Sequence, residues 1–161
     1  MQSARVSLKR LKNPKSKVSC HYFLDRNGNI FRMVDDNKIA WHAGKSKWKN
    51  INNLNKYSIG IELQNRGHFL SYQNFPKKQI FSLIKLIKIL MKRYKINKRN
   101  ILGHSDIAPL RKLDPGEKFP WNFLSAKGIA VWYPKFKLKK RSYEYKSEVR
   151  RKIFFQNIYK I

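Results

Sequence analysis

Residues 18–34, "VSCHYFLDRNGNIFRMV", are the stretch from which the fold is read. "VSCHYFL" (18–24) is rich in β-prone residues, and "IFRMV" (30–34) returns to the same composition. Between them "DRNGN" carries the pair Asn27-Gly28, whose tolerance of positive φ suits a tight turn. The stretch therefore predicts an antiparallel hairpin. Further along, "YSIGIEL" (57–63) alternates like a strand and places Glu62 near its end. Residues 77–94 carry Ile80, Ile84, Ile87, Met91 and Tyr94 on one helical face, widened by Leu83, Leu86 and Leu90, with lysines on the rest. "RNILGH" (99–104) reads as a short strand that ends at His104. The order strand pair, strand, helix, strand implies an α/β domain: a mixed central sheet flanked by helices.

The remaining segments frame that core. Residues 1–17 hold six basic residues and no acid, and predict a short basic helix followed by a loop at "NPKSK". Residues 39–55, "IAWHAGKSKWKNINNLN", have no period and predict an ordered but irregular loop. After Pro134 the chain changes character: residues 135–161 contain ten basic and two acidic residues, interleaved with Phe, Tyr and Ile. We expect a domain over 1–134 and a basic C-terminal extension over 135–161, either an appended helix or a partly ordered arm.

Composition narrows the function. The chain has 161 residues, enough for one domain with a real core. Its single cysteine, Cys20, excludes an internal disulfide framework and is expected to be a buried small side chain. No run of apolar residues is long and charge-free enough to span a membrane. The net charge of +28, from 37 basic and 9 acidic residues, favours polyanionic partners. It does not choose among nucleic acid, cell-wall polymer and membrane surface. No helix-turn-helix, RNA-recognition or zinc-finger signature is present, so no specific nucleic-acid partner is expected.

The loop "HSDIAPLRKLDPGEKFPW" (104–121) concentrates the chemistry. His104 and Asp114 are candidate metal ligands, since zinc accepts imidazole nitrogen and carboxylate oxygen. A catalytic zinc site uses three protein ligands and lowers the pKa of a water to about 7. Read from the residues alone, the third ligand is open: His21, His42 and Cys20 are candidates, and His68 is the weakest. Glu62 is the natural general base, and Lys112 could stabilise an oxyanion. Arg111 could hold a carboxylate in a bidentate fork. Together these residues suggest zinc-dependent hydrolysis of an amide or ester.

Three segments, "VSCHYFLDRNGNIFRMVDDNKIAWHAGKSKW", "NLNKYSIGIEL" and "ILGHSDIAPLRKLDPGEKFPW", closely resemble the zinc-dependent N-acetylmuramoyl-L-alanine amidases, which share their fold with peptidoglycan recognition proteins. The resemblance covers about residues 1–134. It implies hydrolysis of the amide between N-acetylmuramic acid and L-alanine in peptidoglycan or muropeptides. It also implies zinc as cofactor, with two metal ligands at His104 and Asp114, a catalytic glutamate at Glu62 and a transition-state lysine at Lys112. Arg111 matches an arginine that contacts the stem peptide. His42 of "AWHAG" matches a groove-lining position, and His21 of "SCHYF" a histidine beside the site; both are assigned to substrate binding. The family's first zinc histidine lies on a strand that would precede Met1. Two readings follow: Met1 is an internal methionine, or the chain is truncated, with a weak or empty zinc site. A binding module that keeps the groove without the chemistry is the alternative function. We expect a monomer. Any targeting signal would lie upstream of Met1, which leaves cell envelope, periplasm and cytoplasm open.

Overall fold

The structure is a computed structural model and describes residues 3–132 and 155–156. The expected hairpin is present: β1 (Tyr22–Leu24) pairs antiparallel with β2 (Ile30–Arg32), Phe23 opposite Phe31. Asp25 organises the turn. Its Oδ1 accepts the backbone N–H groups of Asn27 (2.8 Å) and Asn29 (2.9 Å), and its Oδ2 accepts the Asn29 side-chain amide at 2.7 Å. This is the Asx chemistry that makes Asp and Asn turn formers. Gly28 sits at φ +89°, and a Cβ there would lie 2.8 Å from the Lys78 carbonyl oxygen. Glycine is required both by the backbone angle and by the close approach of the turn to the long helix behind it.

Two short strands, β3 (Lys47–Trp48) and β4 (Ile51–Asn52), follow as a separate two-stranded sheet. The next strand, β5 (Ile61–Leu63), runs parallel to β1, with Phe23 opposite Glu62. Side chains alternate across a strand. Tyr22, Leu24, Ile61 and Leu63 therefore enter one core, which they share with Ile80, Leu83, Ile84, Leu86, Ile87 and Leu90 of the long helix (Lys77–Tyr94). Phe23 goes to the other side and packs with Leu11 and Cys20. Leu11 belongs to α1 (Ala4–Lys12), whose N-cap Ser3 accepts the Val6 N–H at 3.3 Å. The long helix is thus α2, and the sheet lies between α1 and α2, as the amphipathic patterns require. A short helix α3 (His104–Ile107) opens the site loop, and α4 (Trp121–Ala126) closes the main core with Trp121 and Leu124. The last strand, β6 (Phe155–Gln156), pairs parallel with β5, so the sheet order is β2-β1-β5-β6.

Polar staples complete the packing. Gln79, fully buried in the first turn of α2, donates its Nε2 to the carbonyls of Leu24 and Gln64, each at 3.1 Å. It ties the helix to the ends of β1 and β5. Asp36 accepts the Tyr22 hydroxyl at 2.6 Å and the Tyr94 hydroxyl at 2.8 Å, joining β1 to the end of α2. Burial opposes its charge, but the two hydroxyls with Arg32 and Arg93 outweigh burial and hold its carboxyl below the usual range.

Several expectations need correction. "RNILGH" forms no strand among the described residues; His104 begins α3 instead. Ile101 and Leu102 bury their side chains in two different clusters, which gives a strand-like apolar signature without a ladder partner. The strands expected over 18–24, 30–34 and 57–63 shrink to three residues each. The 39–55 loop contains the β3–β4 pair, so it is less irregular than its composition suggests. Of the C-terminal extension, the two described residues are strand rather than helix; the rest of it, and with it the 134/135 boundary, lies outside the described residues. No helix among the described residues is long and apolar enough to cross a membrane.

Leu83 has no exposed surface, whereas Ile89 on the same helix is 54% exposed. Leu83→Ala is expected to cost about 2–5 kcal/mol of stability, and Ile89→Ala less than about 0.5 kcal/mol, both measured by urea denaturation.

Candidate active site and metal centre

The site forms where the start of α3 meets the end of its loop. The N–H of Ser105 donates to the Asp114 carbonyl at 2.9 Å and closes the loop on itself. Gly103 admits the closure: a Cβ there would lie 2.8 Å from Pro115 Cδ. His104 and Asp114 are each 1% exposed, and His104 Nδ1 lies 3.2 Å from Asp114 Oδ2. His104 Nε2 is 3.0 Å from the Ala43 carbonyl, which can only accept, so that nitrogen carries the proton. The Nδ1 lone pair then faces a carboxylate oxygen. Neither His104 Nδ1 nor either Asp114 oxygen has a hydrogen-bond partner. Lone pairs buried and opposed at this distance repel unless a cation or proton lies between them. Two ligands of a tetrahedral zinc, each about 2.0–2.1 Å from the metal, stand about 3.3 Å apart. The pair therefore fits two corners of a zinc site, and the Ala43 carbonyl is the outer group that fixes the histidine tautomer. Among the described residues, no group of three or more His, Cys, Asp or Glu comes together.

Glu62 reaches the same region from the sheet. Because Ile61 and Leu63 enter the α2 core, alternation turns Glu62 to the opposite side, that of its partner Phe23. It is 2% exposed, and its Oε2 has no hydrogen-bond partner. Burial, and then the charge of Asp114, push its carboxyl well above the usual value; Lys112 and Arg10 oppose the shift. Cys20, fully buried nearby, has its thiol pushed up by burial and by Glu62, so it is inert as a nucleophile at neutral pH.

Arg111 braces the other wall. Its Nη2 donates to the carbonyls of Ala43 and Lys45, both at 2.9 Å, and lies 3.3 Å from His104 Nε2. The same carbonyl thus anchors both the histidine and the arginine. A groove of about 520 Å³ opens here, lined by His42, His104, Arg111 and Lys112 together with Lys17 and Trp41.

His42 at the groove wall and His21 behind it form a buried pair, rings 5.6 Å apart and edge-on. His21 Nδ1 accepts the Gly60 N–H at 2.9 Å, and its Nε2 donates to the Lys38 carbonyl at 3.0 Å. Both ring nitrogens are therefore engaged with backbone. Burial lowers the pKa of His21, against the Lys38 carbonyl and Asp36. Burial, then His21, push His42 down to about 3, so it stays neutral. Gly60 makes the arrangement possible: a Cβ there would lie 2.2 Å from His42 Cγ. His68 does not line this groove; its Nε2 lies 2.8 Å from Glu117 Oε2.

The structure brings Glu62, His104, Arg111, Lys112 and Asp114 to one region, with His42 at the groove and His21 behind it. Sequence reading missed Ala43, Gly60, Lys17 and Trp41. Ala43 and Gly60 act through backbone or through the absence of a side chain, so no side-chain chemistry announces them. Trp41 could have been found as a tryptophan beside His42, and it is 54% exposed.

The profile of the protein family described as N-acetylmuramoyl-L-alanine amidase matches residues 1–117. Over 128 residues the chain is 43% identical to the N-acetylmuramoyl-L-alanine amidase AmiD of Escherichia coli, covering 72% of this chain and 46% of that protein. It is 44% identical over 106 residues to the 1,6-anhydro-N-acetylmuramyl-L-alanine amidase AmpD of Haemophilus influenzae, covering 65% and 55%. Among solved structures, the E. coli AmiD complex with anhydro-N-acetylmuramic acid-L-Ala-D-gamma-Glu-L-Lys superposes with a TM-score of 0.75 at 39% identity, covering 83% of this chain and 56% of that one. AmpDh3 from Pseudomonas aeruginosa gives 0.74 at 36% identity, covering 83% and 58%. The chain spans about half the length of these relatives. The mixed sheet between helices, the match over residues 1–117 and these likenesses agree: the chain belongs to the N-acetylmuramoyl-L-alanine amidase family.

Proposed function

We propose that this chain hydrolyses the amide bond between N-acetylmuramic acid and L-alanine in peptidoglycan or muropeptides, with zinc held by His104 and Asp114. The observation that carries the reading is the buried His104–Asp114 pair, 3.2 Å apart with no hydrogen-bond partner on its facing atoms, in a chain of this family. Zinc, when bound, would supply Lewis acidity that activates water and polarises the amide carbonyl. Every other role falls to the chain. Glu62, whose Oε2 has no hydrogen-bond partner and whose raised pKa makes its carboxylate the stronger base, takes a proton in its ionised form from the attacking water and passes it to the departing L-alanine amine. Lys112 supports the negative charge that develops on the carbonyl oxygen. Arg111 and His42 line the groove and contact substrate, and His21 backs His42 from 5.6 Å. Lys17, Arg111 and Lys112 give the groove a positive rim suited to an acidic stem peptide. Residues 1–134 are the catalytic unit and 135–161 an extension to it. The chain works as a monomer, without a specific nucleic-acid partner.

Glu62→Gln is expected to lower muropeptide hydrolysis by about 10²–10⁴-fold, read by chromatography of the released peptide. It is also expected to raise the stability of the metal-free protein at neutral pH by about 1–3 kcal/mol, because a neutral amide avoids the cost of burying an ionisable carboxyl whose Oε2 has no partner. The sign of the pH dependence follows from the raised carboxyl. Below the unfolded pKa of about 4.3 neither state is ionised; above it the unfolded state releases a proton that the folded state keeps. The parent should therefore lose stability as pH rises from about 4 through the folded pKa, and Glu62→Gln should lose less over the same window. Unchanged cleavage by the variant would remove Glu62 from the mechanism.

Zinc is expected to raise the melting temperature of the parent, corresponding to about 2.7 kcal/mol at a hundredfold excess over Kd. A chelator should reverse the rise, and Asp114→Ala should abolish it. Calorimetric scans with and without zinc check this, and a zinc response that survives Asp114→Ala would place the ion elsewhere.

A further inference from the structure

Beyond Asp114 the chain turns over residues 115–118, and the hydroxyl of Tyr72 sits across that turn. It donates to the Pro115 carbonyl, 43 residues further along the chain, and accepts the Lys118 N–H at 3.1 Å. Lys118 returns the contact: its Nζ donates to the Tyr72 carbonyl at 2.7 Å and lies 5.1 Å from the centre of the tyrosine ring. We propose that Tyr72, in the connection between β5 and α2, is a positioning residue for Asp114. Its hydroxyl locks the turn that follows Asp114, and so keeps the carboxylate opposite His104. The proposal rests on the reading that His104 and Asp114 hold zinc.

The main chain at Asp114 is gripped at two successive carbonyls. That of Asp114 accepts the Ser105 N–H at 2.9 Å, and that of Pro115 accepts the Tyr72 hydroxyl. Only Pro115 lies between the two anchors, and its ring fixes φ. A hold on the Pro115 carbonyl therefore reaches Asp114 with one free torsion left. Asp114 is 1% exposed, so its side chain has little room to turn independently of the backbone. Tyr72 is itself well placed. Gly116, at φ +82°, admits it: a Cβ there would lie 2.7 Å from the tyrosine oxygen. The Tyr72 ring lies 4.3 Å from that of His68 and meets Phe75 edge-on at 6.3 Å, and Phe75 meets Phe119 edge-on at 5.2 Å. Asn65, buried two residues past β5, donates to the Gln73 carbonyl at 2.8 Å and closes the connection that presents Tyr72. The hydroxyl thus links the strand of Glu62 to the loop of Asp114.

The test uses Tyr72→Phe in the full chain, which keeps the ring and removes the hydroxyl. Two quantities are read: amide hydrogen exchange of Ser105, whose N–H is bonded to the Asp114 carbonyl, and zinc affinity by competition with a chromogenic chelator. Exchange at Ser105 is expected to speed by about tenfold while α2 stays as in the parent. Zinc affinity is expected to fall by about tenfold or more, the size of effect found for groups that orient a metal ligand from behind. A merely structural tyrosine would lower the melting temperature of the metal-free protein and leave the zinc affinity of the folded protein unchanged. Lys118→Met changes an exposed side chain and removes only the return bond to Tyr72. It should speed Ser105 exchange by about threefold, and it decides in place of Tyr72→Phe should that variant also lose protection in α2. Parent-like exchange at Ser105, or faster exchange with unchanged zinc affinity, overturns the proposal. A parent that binds no zinc would count against the proposed metal site. The exchange measurement, which needs no metal, would then decide whether Tyr72 holds the loop.

Discussion

Buried lone pairs with nothing to bond are costly, and this structure gathers several of them at one site. His104 Nδ1, both carboxylate oxygens of Asp114 and Glu62 Oε2 are buried without hydrogen-bond partners. Each such group costs about 1–3 kcal/mol, a large share of the roughly 5–15 kcal/mol by which a domain is stable. The surrounding structure holds them there. The Ala43 carbonyl fixes one nitrogen of His104 so that the other must face Asp114, and the Ser105–Asp114 backbone bond holds the main chain of Asp114 against the start of α3. A cation converts this arrangement from a liability into a binding site. That is why the pair reads as a metal site even though it supplies two donors.

Backbone, more than surface charge, does the fixing. Gly60 is bonded through its N–H to His21 Nδ1 and through its carbonyl to the N–H groups of His21 and Tyr22. This joins the entries of β1 and β5 and leaves room for the His42 ring. Gln79 does the same at the other end of these two strands. The basic residues that dominate the composition contribute little here. Their ion pairs with Asp35, at 3.3 and 3.7 Å, lie between exposed side chains and are worth little to stability, and even at the buried Asp36 carboxylate the partners Arg32 and Arg93 remain exposed. The charge is better understood as a field around the groove than as part of the fold.

The sheet carries the second constraint. Because β5 is so short, a single residue of alternation separates the apolar core at Ile61 and Leu63 from the buried carboxyl of Glu62, the proposed general base. A one-residue slip in the β1–β5 register would bury the glutamate among leucines and turn isoleucine to the site. The β1–β5 register therefore decides on which side of the sheet Glu62 stands.

The amino-acid sequence by itself determined the local elements whose cause is local. The Asn27-Gly28 turn, the amphipathic face of α2, the basic first helix and the family motifs around Glu62 and His104–Asp114 were all legible, because turn chemistry, helical periodicity and residue type are written within short windows. Tertiary structure decided what depends on a distant partner. It left "ILG" an extended segment without a ladder among the described residues, and it placed β6 against β5 across the length of the chain. It occupied both nitrogens of His21 with the backbone of Gly60 and Lys38, and it let the Ala43 carbonyl orient His104. Carbonyls and N–H groups are the same in every residue, so their pairing leaves no mark in composition or spacing and appears only when the chain has folded.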